Sequence, residues 1–198
     1  MKKFTTALLV ASGTLLSPHL AFAAIAPLLD QGPTFYFLGG AGNAAFDTKA
    51  KGVAPSGSSV ASENNDSQSS YKIAAGKIIS NGAFEVGYTD FGDSTNTGGT
   101  ALTGFSFGVL ILAPIGNSPF DIILRSDAYL LKHTYRGNDE TTIPGFGLGI
   151  GTRLNWANGF FVQGQYDVLY YQDTIEGAAG GEIKTLIQHP SLQVGVAL

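Results

Sequence analysis

The stretch GFGLGIGTRLNWANGFFVQGQYDVLYY, residues 145–171, decides the fold. Glycine occupies every second position from 145 to 151, with phenylalanine, leucine and isoleucine between, and after a turn Gln163, Gln165 and Asp167 alternate with valine and tyrosine. A period of two indicates β-strands, because successive side chains point to opposite faces. The stretch therefore predicts two neighbouring strands, each with one small or polar face and one apolar face.

Residues 1–23 are predicted to be a secretory signal peptide. Lys2 and Lys3 precede the apolar run ALLVASGTLL, and the small residues of AFA at 21–23 stand before a cleavage point. Residues 24–198 then form a single domain. The chain contains no cysteine, which excludes a disulfide framework and thiolate metal sites.

The composition favours a barrel that crosses a membrane. Charged residues make up 13% of the chain, compared with about 25% in a typical soluble domain. After the signal, no run approaches the roughly 18 apolar residues of a spanning helix, so a crossing requires a closed barrel. The net charge of −4 becomes −6 once Lys2 and Lys3 are removed, which argues against nucleic acid as a partner.

The period-two pattern predicts an all-β protein, an eight-stranded antiparallel up-and-down transmembrane β-barrel. Short turns and longer polar segments alternate between its strands, as in outer-membrane barrels with short periplasmic turns and longer external loops. We expect any external ligand or surface partner to bind at the loops 47–69, 132–142 and 172–184. The predicted strands are 34–46, 70–78, 83–91, 101–112, 120–131, 143–154, 160–171 and 185–198.

The inward face of these strands is predicted to carry a network of polar side chains. Eight strands enclose a lumen only just wide enough for side chains to fill, so a packed polar interior is favoured over a pore. Buried charges must pair, and the glycines of the sixth strand would leave room for long side chains. The predicted network consists of Lys72, Glu85, Arg125, Asp127, Arg153, Gln163, Gln165, Asp167 and Gln193.

Apolar and aromatic residues are predicted to face lipid. Ile122, Leu124 and Leu130 alternate with polar neighbours on one strand. Aromatic residues near strand ends suit the membrane interface, where an amphipathic ring lies between hydrocarbon and water. This interfacial set is Phe35, Phe91, Phe120, Tyr129, Phe160, Tyr170 and Tyr171.

The segments YKIAAGKIISNGAFEVGYTDFG (71–92) and FDIILRSDAYLL (120–131), the stretch 145–171 and the terminal LQVGVAL resemble the outer-membrane protein A-like superfamily. This superfamily includes small porin-like and opacity-type barrels of the Gram-negative cell envelope. The resemblance implies that Glu85 and Arg125 belong to a lumenal ion-pair network. Gln165 departs from the glutamate usual before the tyrosine matched by Tyr166.

The resemblance also implies outer-membrane lipid and the barrel-assembly machinery as partners. That machinery reads a terminal strand that commonly ends in an aromatic residue, whereas this chain ends in Leu198. The predicted assembly signal is the apolar alternation of Leu192, Val194, Val196 and Leu198.

No catalytic, cofactor or metal site is predicted. His189 and Ser191 are two residues apart on one strand face, and some lipid hydrolases of this barrel type use histidine and serine. The period-two pattern turns both inward, and no nearby acid in the sequence orients the histidine. The prediction is a non-enzymatic outer-membrane protein with a structural or surface-interaction role. A soluble lipocalin-like periplasmic barrel is the alternative, ahead of a lipid hydrolase or a narrow solute pore.

Overall fold

The computed structural model describes residues 34–53, 59–94, 100–134, 140–174 and 179–198, so the predicted signal peptide lies outside the described residues. Eight strands pair with their sequence neighbours, all antiparallel, and the pairing of the first with the last closes a barrel. The predicted fold class is confirmed. The strands are β1 Thr34–Val53, β2 Ser59–Ile79, β3 Gly82–Ser94, β4 Thr100–Pro114, β5 Phe120–Thr134, β6 Glu140–Asn155, β7 Phe160–Thr174 and β8 Ala179–Ala197.

The period of two in the sequence becomes a division between the inside and the outside of the barrel. Along β5 nearly every second side chain is exposed and those between are buried. Arg125 and Asp127 point inward, whereas Leu124 and Leu130 point outward. Because the barrel is closed, each described strand pairs with a neighbouring strand on both sides.

One end of the barrel is formed by short turns. The β2–β3 turn has only two residues, and its first, Ser80, has φ 55°. The β6–β7 turn closes with Gly159 at φ 84°, a left-handed conformation that glycine adopts without a steric penalty. This end is called the turn side, and the opposite end the hairpin side.

The predicted loop bounds 47–69, 132–142 and 172–184 were wrong, because the strands continue into all three. β1 and β2 pair from Thr34↔Ile78 to Val53↔Ser59. β5 pairs with β6 up to Thr134↔Glu140, and β7 with β8 up to Thr174↔Glu182. The apolar alternation stops in these segments, but backbone pairing does not depend on it. A strand that has left lipid can carry polar side chains on its outer face.

The hairpin side is uneven in height. β1 and β2 have 20 and 21 residues and β8 has 19, whereas β3 has 13. Pairing between β2 and β3 ends at Tyr71↔Asp90. A bulge in β3 follows, where Gly92 has φ 86° and donates its N–H to Asp90 Oδ1 at 2.8 Å. β2, β1 and β8 therefore continue beyond β3 as a projecting sheet, and β7 accompanies β8 up to Thr174↔Glu182.

The outer surface carries a continuous apolar belt. Along β5 it runs from Phe120 to Leu130, a rise of about 25 Å along the barrel axis for a strand tilted by about 40°. No helix among the described residues is long and apolar enough to cross a membrane. The large exposed members of the belt are Phe35, Phe37, Tyr71, Ile73, Ile79, Phe84, Val86, Phe105, Phe107, Val109, Ile111, Phe120, Ile122, Leu124, Leu130, Phe146, Leu148, Ile150, Phe160, Tyr166, Tyr170, Leu192 and Val194.

The predicted interfacial aromatic residues divide between the two faces. Phe35, Phe120, Phe160 and Tyr170 are exposed on the belt. The prediction was wrong for the other three, Phe91, Tyr129 and Tyr171, which are buried inside the barrel. Proximity to a strand end did not predict which face a ring occupies. Alternate residues along a strand face opposite sides of the sheet, and these three occupy inward-facing positions.

Candidate functional site in the barrel interior

The barrel interior consists of a polar layer between two apolar clusters. The sequence had predicted a polar interior without apolar clusters. The hairpin-side cluster is built around Phe46, Phe91, Leu102, Leu131 and Ile187. The turn-side cluster is built around Tyr36, Leu110, Ile123 and Phe161. A solute that entered the polar layer along the barrel axis would have to pass one of these clusters, so the described interior offers no open channel.

All nine side chains of the predicted network are buried in the described interior. None is more than 5% exposed. Three cations, Lys72, Arg125 and Arg153, accompany three anions, Glu85, Asp127 and Asp167, so the six charges balance when all are ionised. Burying charge of one sign alone in this setting would be prohibitive.

Glu85 on β3 is shared between several partners. Its Oε1 accepts a hydrogen bond from Lys72 Nζ at 2.8 Å and lies 3.1 Å from Arg125 Nη2. Its Oε2 accepts one from the Tyr36 hydroxyl at 2.9 Å. Tyr36, Lys72 and Arg125 lie on β1, β2 and β5, so one carboxylate links four strands across the lumen.

Arg125 occupies the centre of the layer. Its guanidinium forms a two-point contact with Asp127, with Nε donating to Oδ2 at 2.6 Å and Nη2 donating to Oδ1. Nη1 donates to Gln165 Oε1 at 3.3 Å, and Nε lies 3.9 Å from Asp167 Oδ1. A planar fork of donors suits carboxylate geometry, which a lysine could not reproduce.

Arg153 is stabilised by aromatic rings instead of a close carboxylate. Its guanidinium carbon lies 4.2 Å from the Phe161 ring centroid and 5.2 Å from that of Tyr36. Its Nε and Nη2 both donate to Gln163 Oε1, at 2.9 and 2.7 Å. Cation–π attraction is strongest when the cation is desolvated, as here. Tyr36 and Phe161 occupy inward-facing positions in the sequence pattern but were not predicted to belong to the network.

A chain of amides continues from Arg153. Gln163 Nε2 donates to Gln193 Oε1 at 2.8 Å, and Gln193 Nε2 donates to Gln165 Oε1 at 3.1 Å. Gln165 Nε2 then donates to Asp167 Oδ1 at 2.9 Å. Gln165 thus supplies both a donor and an acceptor, which a glutamate could not do while ionised. Glutamine at this position therefore continues the amide chain from Gln193 to Asp167.

His189 contacts Ser70 and lies near Asp167, and neither contact was predicted from the sequence. Its Nε2 shares a 2.8 Å hydrogen bond with Ser70 Oγ, and its Nδ1 lies 3.8 Å from Asp167 Oδ2. Ser191 Oγ instead accepts a hydrogen bond from Gln193 Nε2 at 2.8 Å. Serine, histidine and aspartate in this order resemble a hydrolytic triad.

The position of this triad-like group argues against lipid hydrolysis. Ser70 and His189 are buried inside the barrel, and the Phe91 ring packs edge-on against the imidazole with centroids 5.6 Å apart. A lipid on the outer surface could reach neither group. We interpret the three residues as a part of the polar layer.

The hairpin-side mouth holds a second histidine. His133 lies on β5 beyond the end of the apolar belt, directly after the outward-facing Lys132. Its Nδ1 is 3.9 Å from Asp173 Oδ2 on β7. The Tyr171 ring lies edge-on to the imidazole, with centroids 6.4 Å apart. Burial lowers the pKa of His133, and the neighbouring Asp173 opposes this shift only in part.

This histidine gives a pH-dependent contribution to stability. A basic group whose pKa is lower in the folded state binds more protons when unfolded, so folding weakens as the pH falls below the unfolded value of about 6.5. We expect the urea midpoint of wild type to fall between pH 7.5 and pH 5 by more than that of His133→Gln. Equal pH dependence of the two proteins would contradict this assignment.

Of the predicted assembly residues, Leu192, Val194 and Val196 lie on the outer face of β8, and Leu198 directly follows the strand. Leu192, Val194 and Leu198 are 63%, 59% and 75% exposed, and Val196 is half-buried. Val194 pairs in register with Gly39 of β1 and with Val162 of β7. Leu192, Val194 and Leu198 are therefore exposed in the closed barrel.

The fold is that of the small eight-stranded outer-membrane barrels, as the resemblance implied. The crystal structure of Neisserial surface protein A matches with a TM-score of 0.54 and 18% identity, over 83% of this chain and 98% of that one. The N-terminal β-barrel domain of Pseudomonas aeruginosa OprF matches with a TM-score of 0.51 and 12% identity, over 80% and 97%. No family model and no curated protein sequence matches the chain. The likeness therefore concerns architecture.

Proposed function

We propose that the chain is a non-enzymatic integral outer-membrane protein that presents a surface for interaction on the hairpin side. The observation that carries the proposal is the direction of the apolar side chains. Phe105 and Leu130, 66% and 62% exposed, belong to a belt of about 25 Å. In water such a belt would be a large aggregation-prone patch, whereas in a bilayer it matches the hydrocarbon thickness.

The same observation disfavours the soluble alternative. A lipocalin-like barrel directs its apolar side chains inward around a ligand cavity. Here the middle of the described interior is occupied by charged and amide groups that contact one another. An apolar ligand there would have to displace the paired charges, at a large desolvation cost.

The projecting sheet is the part that we propose for surface interaction. On the β3 side of β2, no described strand pairs with residues 59–70. Unpaired strand edges present N–H and C=O groups that can accept another extended chain. We place the external partner there in preference to the β5–β6 and β7–β8 connections. We further propose that the predicted signal peptide, residues 1–23, directs export and that the predicted assembly residues at the end of the chain direct insertion from the periplasm.

Cell fractionation and gel mobility test the membrane assignment. We expect the protein in the outer-membrane fraction, with a different migration before and after boiling, because a closed barrel resists unheated detergent. A soluble periplasmic protein whose mobility does not change on boiling would refute the proposal.

Antibody access on intact cells tests the orientation. An epitope inserted within residues 54–58, between β1 and β2, should be reached without lysis. The matched control is the same epitope between Ala157 and Asn158, in the β6–β7 turn, which should be reached only after the outer membrane is opened. The reverse result would place the turns outside and overturn the assignment of the surface.

A further inference from the structure

A groove on the outer wall lies within the apolar belt. Two adjoining hollows of about 380 and 240 Å³ share Phe37, Ala75 and Val86. The floor is Ala75, whose strand neighbours in register are Phe37 on β1 and Val86 on β3. A single methyl group between two large side chains leaves a depression, and Ile73 and Tyr88 extend its walls toward the hairpin side.

A positive charge stands at the turn-side end of this groove. Lys77 lines the smaller hollow, and its ammonium lies 5.1 Å from the Phe35 ring centroid. Among the outward-facing side chains that line the two hollows, Lys77 is the only charged one. No described carboxylate forms an ion pair with it. The aromatic contact holds the ammonium near Phe35 while leaving its donors available.

The length of the groove corresponds to one leaflet. From Lys77 to Ile73 the strand advances by about 13 Å, or about 10 Å along the axis of a tilted barrel. Half of a bilayer's hydrocarbon core is about 15 Å thick. A chain lying over Ala75 with its polar end at Lys77 would therefore extend from the interface toward the midplane without entering the other leaflet.

We propose that this groove binds one glycerophospholipid of the turn-side leaflet, with an acyl chain over Ala75 and its phosphate against Lys77. The proposal rests on the membrane assignment above. Apolar walls recognise the hydrocarbon chain, and the ammonium recognises the phosphate. Additional negative charge in the headgroup strengthens the second contact, so an anionic phospholipid is preferred to a zwitterionic one.

Native mass spectrometry from detergent micelles doped with phosphatidylglycerol or phosphatidylcholine tests the proposal. We expect the wild-type barrel to retain one phosphatidylglycerol and to prefer it to phosphatidylcholine. Lys77→Gln should lower that preference about fivefold, the effect of one basic residue near an anionic headgroup. Lys132→Gln, an outward-facing charge on the hairpin side, should leave the preference unchanged.

The hydrocarbon contact is tested by filling the groove. Ala75→Phe should reduce retention of either lipid at least fivefold, whereas the matched control Ala128→Phe, on the outer face of β5, should not. The boiling shift confirms that each variant is folded, and Ala75→Leu provides a smaller change if Ala75→Phe does not fold.

The two proposals can fail separately. A wild-type protein that neither enters bilayers nor changes its gel migration on boiling would refute the membrane assignment. A folded, membrane-inserted wild type that retains no phospholipid would overturn only the groove proposal, as would equal retention by Ala75→Phe and Ala128→Phe.

Discussion

Replacing Glu85 with glutamine is expected to destabilise the barrel by about 3–5 kcal/mol, the usual result of removing one member of a buried ion pair. Glutamine keeps the size and can still accept the hydrogen bond from Tyr36. It removes the charge that Lys72 contacts at 2.8 Å and Arg125 at 3.1 Å. Arg125 retains Asp127, but Lys72 is left as an uncompensated buried cation.

Urea unfolding in lipid vesicles, followed by the separation of folded and unfolded bands on a gel, measures the effect. The control is Lys184→Gln, which removes an exposed pair with Glu182 at 3.1 Å and should change stability by less than about 1 kcal/mol. The double variant Glu85→Gln with Lys72→Met should recover part of the loss, because it removes the orphaned cation as well. A single-variant effect as small as that of the control would mean that the layer is hydrated.

Replacing Gly149 with alanine is expected to destabilise the barrel by about 1–3 kcal/mol through overpacking. A methyl group at this inward position of β6 would lie 2.7 Å from Arg125 Cγ and 3.0 Å from its Cδ, and would meet the Asp167 carboxylate as well. These groups cannot retreat without breaking the contacts of Arg125 with Asp127 and Gln165.

Gly164 on the neighbouring strand supplies the matched control. It faces outward, and a methyl group there would meet nothing within 4 Å. Gly164→Ala should be neutral or stabilising by about 0.4–1 kcal/mol, because alanine restricts the unfolded chain. Effects of opposite sign for the two substitutions would identify interior space as the cause. Equal destabilisation would point to backbone strain in β6 and β7 alike.

The sequence alternation along each strand predicted which side chains face the interior and which face outward. Gln163, Gln165 and Asp167 share the parity of Phe161, and the structure places all four inside. The partners within the lumen were not predictable. Ser70 and His189 are 119 residues apart, and their contact depends on the stagger of β1, β2 and β8 around the barrel. The alternation along a strand shows which face a residue occupies, but it does not show how far along the barrel axis the residue lies.

The positions at which the strands end were also not predicted correctly from the sequence. Apolar alternation marks only the part of a strand that lies against hydrocarbon, so it ended near Phe46 while β1 continued to Val53. Beyond the belt, outward positions such as Asn43 and Lys49 are polar in strands and in loops alike. Backbone pairing there leaves no clear pattern in side-chain type.

The seam between β1 and β8 has a consequence for how the molecule forms. The β1–β8 pairs run from Tyr36↔Ala197 to Val53↔Ala179, so the closing contacts join residues 126 to 161 positions apart. Every other seam joins strands that are neighbours in the sequence. Contacts of such separation carry a large loop-closure entropy and form slowly. The seven pairs of sequence-neighbouring strands can therefore form locally, whereas the barrel can close only after β8 has formed. Until then both β1 and β8 are open edges, and a nascent chain at this stage is most exposed to mispairing with another copy.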